Sequence, residues 1–289
     1  MNTFKKIGLT ALASSLVVTS AVAGEMSVSG GASIGLKNTT KTASGKSWTM
    51  GNQLTFSGSG ELDNGMNVSL SFVIDQGDDA TTTTNARDPF DSHSITVSSD
   101  ALGTLVLSGE GGSSAQSAID TTAAGDLWNN GSGITAPRAA EAGDNSMMYT
   151  LPTMLDDVTL KASYSPGGAG GSSATAYSIG YTGVEGLTLD FAQGETETVG
   201  SQQDHTTIKA SYAIGSFTLG YSNTESIYSN SASIDEEVSS WQVAYTVSDD
   251  LSITYGTEEI ETESQAVDEE VTGLGVSYTT GGVTIAANQ

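Results

Sequence analysis

Gly65-Met66-Asn67-Val68-Ser69-Leu70-Ser71-Phe72 alternates without a fault, with apolar residues at the even positions and small or polar ones at the odd positions. Successive side chains of an extended chain point to opposite faces, so this octapeptide predicts a strand with one apolar and one polar face. The same period runs outward in both directions. Toward the N-terminus, Met26 to Leu36 places apolar or small residues at even positions and Ser or Gly at odd ones. Toward the C-terminus it returns in Val158–Tyr164, Thr207–Tyr212, Phe217–Tyr221, Trp241–Tyr245, Leu251–Tyr255 and Val283–Ile285.

A soluble β-sandwich alternates in the same way, and three features point instead to a sheet that faces lipid. The polar face is Ser, Thr, Gly, Asn and Gln with a lone charge here and there, not the Lys/Glu mixture of a soluble surface. Tyr closes one apolar row after another: Tyr164, Tyr181, Tyr212, Tyr221, Tyr245, Tyr255 and Tyr278. That position suits an aromatic girdle at the lipid–water boundary. Connections alternate between tight and long. Asp63-Asn64-Gly65, Ser99 to Gly103, Gly183 to Gly186, Ser248 to Asp250 and Thr280 to Gly282 are built of turn-forming residues, and polar stretches around 75–91, 193–205, 223–238 and 258–270 read as loops. Short turns at one end and long loops at the other are the habit of outer-membrane barrels.

The first residues belong to export. Lys5 and Lys6 precede an uncharged, mostly apolar run from Ile7 to Val18, and Ala21-Val22-Ala23 supplies the small-x-small cleavage pattern, so residues 1–23 read as a signal peptide. That run is shorter than the roughly 20 residues a spanning helix needs. Later apolar runs are shorter still, so a membrane role requires a β-barrel in residues 24–289, the other structure that satisfies every backbone group in lipid.

Composition narrows the function. The chain carries 34 acidic residues against nine basic ones, for a net charge of −25, which excludes nucleic acid as a partner and favours cations. The acids fall in blocks, Asp235 to Glu237, Glu258 to Glu263 and Asp268 to Glu270, each expected to be a solvated loop. With no cysteine, there is neither a disulfide nor a thiol nucleophile. The 35 glycines and four prolines suit many turns and few ladder breaks. Counting alternating segments gives about fifteen strands, an odd number where bacterial single-chain barrels are even. One more strand, expected to follow Gln289, would make an all-β transmembrane barrel of about sixteen strands, the size that leaves an aqueous channel.

With strands and turns in place, the chain resembles Gram-negative general porins of the alphaproteobacterial, marine type. The likeness covers the whole length: Met1-Asn2-Thr3-Phe4-Lys5-Lys6 through Ala21-Val22-Ala23, a first strand of the Val28-Ser29-Gly30 kind, Asn-Gly turns and a long third outer loop. The resemblance implies a homotrimer in the outer membrane, among its lipids and lipopolysaccharide, passing ions and small hydrophilic solutes without a cofactor. It also implies an inward-folding third loop and an aromatic C-terminal residue, which Gln289 is not.

Gly111 to Asn145 is too long for a turn, and loops of that length are commonly functional. By the resemblance it is the constriction loop, whose rim charges are Asp120, Asp126, Glu141, Asp144 and Arg138, beside Trp128. Lys161 alternates with Leu160 and Ala162, and Lys209 with Ile208 and Ala210. A lysine facing lipid at mid-membrane costs about 2–4 kcal/mol, so both are expected on the lumen side as pore-wall charges facing the acidic loop. With so few basic groups, cation preference is expected. Arg87 reads as an ordinary loop residue.

Catalysis finds little support. His93, in the lead-in to a strand, and His205, at a loop edge, read as surface residues. Gly45-Lys46-Ser47 lacks the first glycine of a phosphate loop, for Thr40 stands there. The alternative is a secreted or surface-attached structural or adhesive β-protein whose acidic loops bind calcium, although no nonapeptide repeat or EF-hand loop is present.

Overall fold

The computed structural model describes residues 26–39, 45–75, 91–117, 138–140, 144–167, 171–230, 234–263, 268–280 and 283–288. The strands are β1 (Met26–Thr39), β2 (Gly45–Glu61), β3 (Asn67–Asp75), β4 (Ser92–Ser99), β5 (Gly103–Glu110), β6 (Ser146–Thr150), β7 (Val158–Ser165) and β8 (Ser173–Tyr181). They continue as β9 (Leu187–Thr198), β10 (Ser201–Ile214), β11 (Phe217–Tyr228), β12 (Glu236–Ser248), β13 (Leu251–Thr262), β14 (Glu269–Thr280) and β15 (Val283–Asn288). All lie in one sheet in sequence order, each antiparallel to the next. Among the described residues β1 and β15 are the sheet edges and do not pair with each other, so the barrel is not closed.

The period-two reading locates the strands and also sorts their faces. Leu160, Ile179, Phe191 and Ile208 are cross-strand neighbours on one face, as are Leu219, Val243, Tyr255 and Leu274. Ile179, Phe191, Ile208, Leu219 and Leu274 all lie exposed. The opposite face is buried and built of small or polar groups: Ala174, Ala176, Ala192, Thr196, Thr207, Ser222, Thr224, Ser226 and Ser240. A soluble sandwich would turn these the other way, because burying a Leu or Phe is worth about 1.5–3 kcal/mol. The one apolar cluster of buried residues described is four alanines, Ala115, Ala140, Ala174 and Ala176. Large apolar side chains outward and hydroxyls inward define a transmembrane barrel.

Strands run further than alternation suggested. The stretches 193–205, 223–238 and 258–270, read from sequence as loops, are mostly ladder: Val199 and Gly200 alone join β9 to β10, with Gly200 at φ +82°. The reason is that backbone pairing needs no apolar side chain, so the ladder continues past the apolar band, where both faces become polar and the period fades. Parity then splits the acidic blocks. Glu236 and Glu258 point inward and are buried, whereas Glu237, Glu259 and Glu261 point outward on the same strands.

Four of the five tight turns form as expected at the other end, and Gly281 and Gly282 of the fifth lie outside the described residues. Asn64 accepts the Met66 amide on its side-chain oxygen at 3.1 Å, and Gly65 takes φ +80°. At Gly103, φ +78° and a Thr150 carbonyl that would lie 2.3 Å from any Cβ leave room for glycine alone.

The seven predicted girdle tyrosines are all exposed on the outward face, at 38–49 %. They do not share one level. Tyr181, Tyr212, Tyr245 and Tyr278 lie toward the short-turn ends of their strands, with Tyr221 and Tyr255 a little further in, and Tyr164 is at the long-loop end of β7.

Candidate pore-lining site

Three adjoining cross-strand rows on the inward wall of β7 to β13 hold its charged groups. Of these three, the one nearest the short turns is Thr159, Gly180, Asp190, Lys209, Ser222, Ser240 and Glu258. Next come Lys161, Ser178, Ala192, Thr207, Thr224 and Val238, and beyond them Ala176, Gly194, His205, Ser226 and Glu236. Hydroxyls link strand to strand within the rows: Ser222 to Ser240 at 2.8 Å, and Thr207 to Thr224 at 3.0 Å.

Two described pieces of the 111–145 segment, residues 114–117 and 138–140, dock on this wall. Ser114 and Ser117 cap each other, each amide donating to the other's hydroxyl at 2.8 and 2.9 Å. That compact turn presents Ala115, whose amide donates to Ser163 Oγ at 2.8 Å, and Gln116, which is fully buried. Gln116 Nε2 donates to Thr207 Oγ1 at 3.0 Å, and its Oε1 accepts the Ala140 amide at 2.8 Å, so one side chain joins the wall to both pieces of the segment. Gly194 makes the close approach possible: a Cβ there would lie 2.6 Å from the Ala140 Cβ.

Arg138 anchors the returning end. Its Nε donates to Glu236 Oε2 at 3.3 Å, another guanidinium nitrogen donates to the Tyr228 hydroxyl, and the group lies 5.1 Å from the Tyr228 ring centre. Burial works against its charge, but the hydrogen bond and proximity of Tyr228, followed by Glu236, outweigh it and hold the guanidinium above its ordinary pKa. Arg138 is therefore bound to the inner wall while 42 % of its side chain stays exposed.

Of the other predicted rim residues, Asp120, Asp126 and Glu141 lie outside the described residues, as does Trp128. Asp144 is exposed just before β6. Lys161 and Lys209 occupy the inward face, each two residues from a docking residue, Ser163 and Thr207 respectively. They sit beside the docked pieces of the segment, on the same wall, and do not face them from across the lumen.

His205 corrects the sequence reading. It is 1 % exposed, with Nδ1 2.9 Å from Ser226 Oγ, because the strand continues past the expected loop edge and parity turns the ring inward. His93 is partly exposed and stacks on Phe72, ring centres 6.4 Å apart. Sequence reasoning also missed Asp190, Gln116, Glu236 and Glu258. For Asp190 the signal was present: Leu189 and Phe191 flank it, so an outward pair of apolar residues fixes an inward carboxylate. Glu236 and Glu258 were hidden in stretches read as loop.

On the outward face at the long-loop end, Glu259, Glu261 and Asp268 bring carboxylate oxygens within 4.8 Å of one another, a spacing that could ligate a cation. Between the tops of β11 to β14 lies a cavity of about 450 Å³ lined by acids including Glu225, Glu237 and Glu263.

An apolar exterior, a polar interior and a chain segment docked within define a membrane channel of the β-barrel class. Residues 8–288 match the family model for Gram-negative porins, and the chain belongs to that family and to the outer membrane. No curated protein sequence matches it. Among solved structures it is similar to a porin refined at 1.8 Å resolution, with 15 % identity, a TM-score of 0.65, and coverage of 91 % of this chain and 94 % of that one. It is likewise similar to OmpT of Vibrio cholerae lacking its loop L8, at 16 % identity, TM-score 0.64, and 92 % and 94 % coverage. An anion-selective porin from Comamonas acidovorans matches at 15 % identity and TM-score 0.61, covering 88 % and 85 %. At such identities the likeness concerns the fold, and a shared fold leaves the sign of selectivity to the lining charges.

Proposed function

We propose that this porin is a cation-preferring diffusion pore for ions and small hydrophilic solutes, narrowed by the inward-folded segment 111–145. The observation that carries this reading is Gln116, buried against Thr207 on the inner wall while it accepts the Ala140 amide. A segment tied to the inner wall at both docked pieces takes up lumen volume, and the chain's −25 charge favours cations at its mouth. Residues 1–23 direct export, and the working unit is a homotrimer surrounded by outer-membrane lipid and lipopolysaccharide. The channel needs no cofactor and performs no catalysis. Calcium, where present, binds the outer acids Glu259, Glu261 and Asp268 and is accessory to conduction.

The test is single-channel current in a planar bilayer across a potassium chloride gradient. Stepwise conductance with a cation-directed reversal potential is expected. Anion-directed reversal would keep the pore and remove the cation preference, and absence of steps from the folded protein would remove the pore.

A further inference from the structure

Below the docked turn, on the short-turn side, the wall carries Lys161, Asp190 and Lys209. Asp190 stands directly opposite Lys209 in the β9–β10 register, and its carboxylate lies within electrostatic reach of both lysines. It also leans the other way, over β8. A Cβ on its other cross-strand neighbour, Gly180, would lie 2.8 Å from Asp190 Oδ1. The missing side chain at Gly180 thus makes the space that the carboxylate fills.

The remaining inward carboxylates among the described residues have other positions. Glu236 is held by Arg138, Glu258 is fully buried, and Glu61, Glu110 and Glu269 stand at strand ends. Along the middle of the described wall, Asp190 is the partly exposed acid beside two partly exposed lysines. With it the three groups sum to one positive charge, and without it to two.

We propose that Asp190 is a selectivity-determining residue of the pore, held over Gly180 so that its charge offsets Lys161 and Lys209 along the path of permeating ions. The inference rests on the cation-preferring reading above. A unit charge within a few ångströms of the ion path changes the potassium-to-chloride permeability ratio by roughly fivefold, since the interaction is only weakly screened inside a Debye length.

The experiment measures reversal potentials of the whole protein and its variants in planar bilayers under a potassium chloride gradient. Asp190→Asn, which keeps the side-chain shape, is expected to lower the permeability ratio by roughly fivefold, and Lys209→Gln to raise it. Asp190→Glu should stay near the wild type. Gly180→Ala leaves the charge count unchanged but displaces the carboxylate, and is expected to lower the ratio by roughly twofold. Stepwise Asp190→Asn channels whose ratio equals that of the wild type would overturn the role of Asp190 alone. A wild-type protein that forms no channel overturns the pore reading and this inference with it.

Discussion

The inner wall has two unlike halves. Along β2 to β5 the described inward residues are mainly small and uncharged: Thr55, Ser57 and Ser59, then Ser69 and Ser71, then Ser94, Thr96 and Ser98, then Thr104, Val106 and Ser108. From β7 to β13 the wall carries Lys161, Asp190, His205, Lys209, Glu236 and Glu258, and receives the docked turn at Ser163, Gly194 and Thr207. The first half offers mainly uncharged hydrogen-bonding groups. The second holds both the docked turn and the mid-wall charges. Anchoring and field sharing one wall means that the two can interfere, and variants can separate them.

The largest expected effect comes from breaking the rule common to both halves. Phe191→Arg puts a charge on the lipid face in mid-strand and should destabilise the protein folded in vesicles by about 2–4 kcal/mol, read from urea unfolding. Ser71→Arg, on the inward face of the neutral half, should change stability little. Equal losses for the two would contradict the assignment of faces.

The anchor comes next. Gly194→Val places branched carbons where Ala140, Ala176 and Gln116 already lie, at a cost of about 1–3 kcal/mol for overpacking. Its docked segment should lift, and single-channel conductance should rise. A conductance unchanged from the wild type would show that the segment does not narrow the path.

Arg138→Ala removes the clamp and leaves Glu236 buried without its ion pair. Since the arginine is 42 % exposed, about 1 kcal/mol or less of stability should be lost. The sensitive readout is open-channel noise, expected to increase as the returning end loosens. Quiet channels would assign the clamp no part in holding the segment.

The smallest effect sharpens the comparison. Ser71→Lys adds a charge to the neutral half, far from the docked turn. It should move the reversal potential toward anions by less than Asp190→Asn does, because it stands between the uncharged Ser57 and Ser94 and not beside Lys161 and Lys209. A larger shift would mean that the ion path runs along β3.

Much of this was legible in the residues. Leu70 between Ser69 and Ser71, or Lys161 between Leu160 and Ala162, names its face from parity alone; exposure agrees for Leu70, and the register of Lys161 with Ser178 and buried Ala192 agrees for the lysine. Where charges crowd both faces, as from Glu258 to Thr262, the lone Ile260 points inward and leaves parity no outward apolar row to count from, and strand was mistaken for loop.

The sequence by itself determined the class of fold, the face to which most side chains turn and the membrane setting, because period two is a local property of an extended chain and large apolar groups cannot all face inward around hydroxyls. Only the tertiary structure decided which wall receives Gln116 and Arg138, that Lys161 and Lys209 stand beside that dock, and that His205 is buried. Those outcomes depend on register carried from strand to strand across the sheet, and each pairing is set by its own hairpin, so no short stretch of sequence contains them.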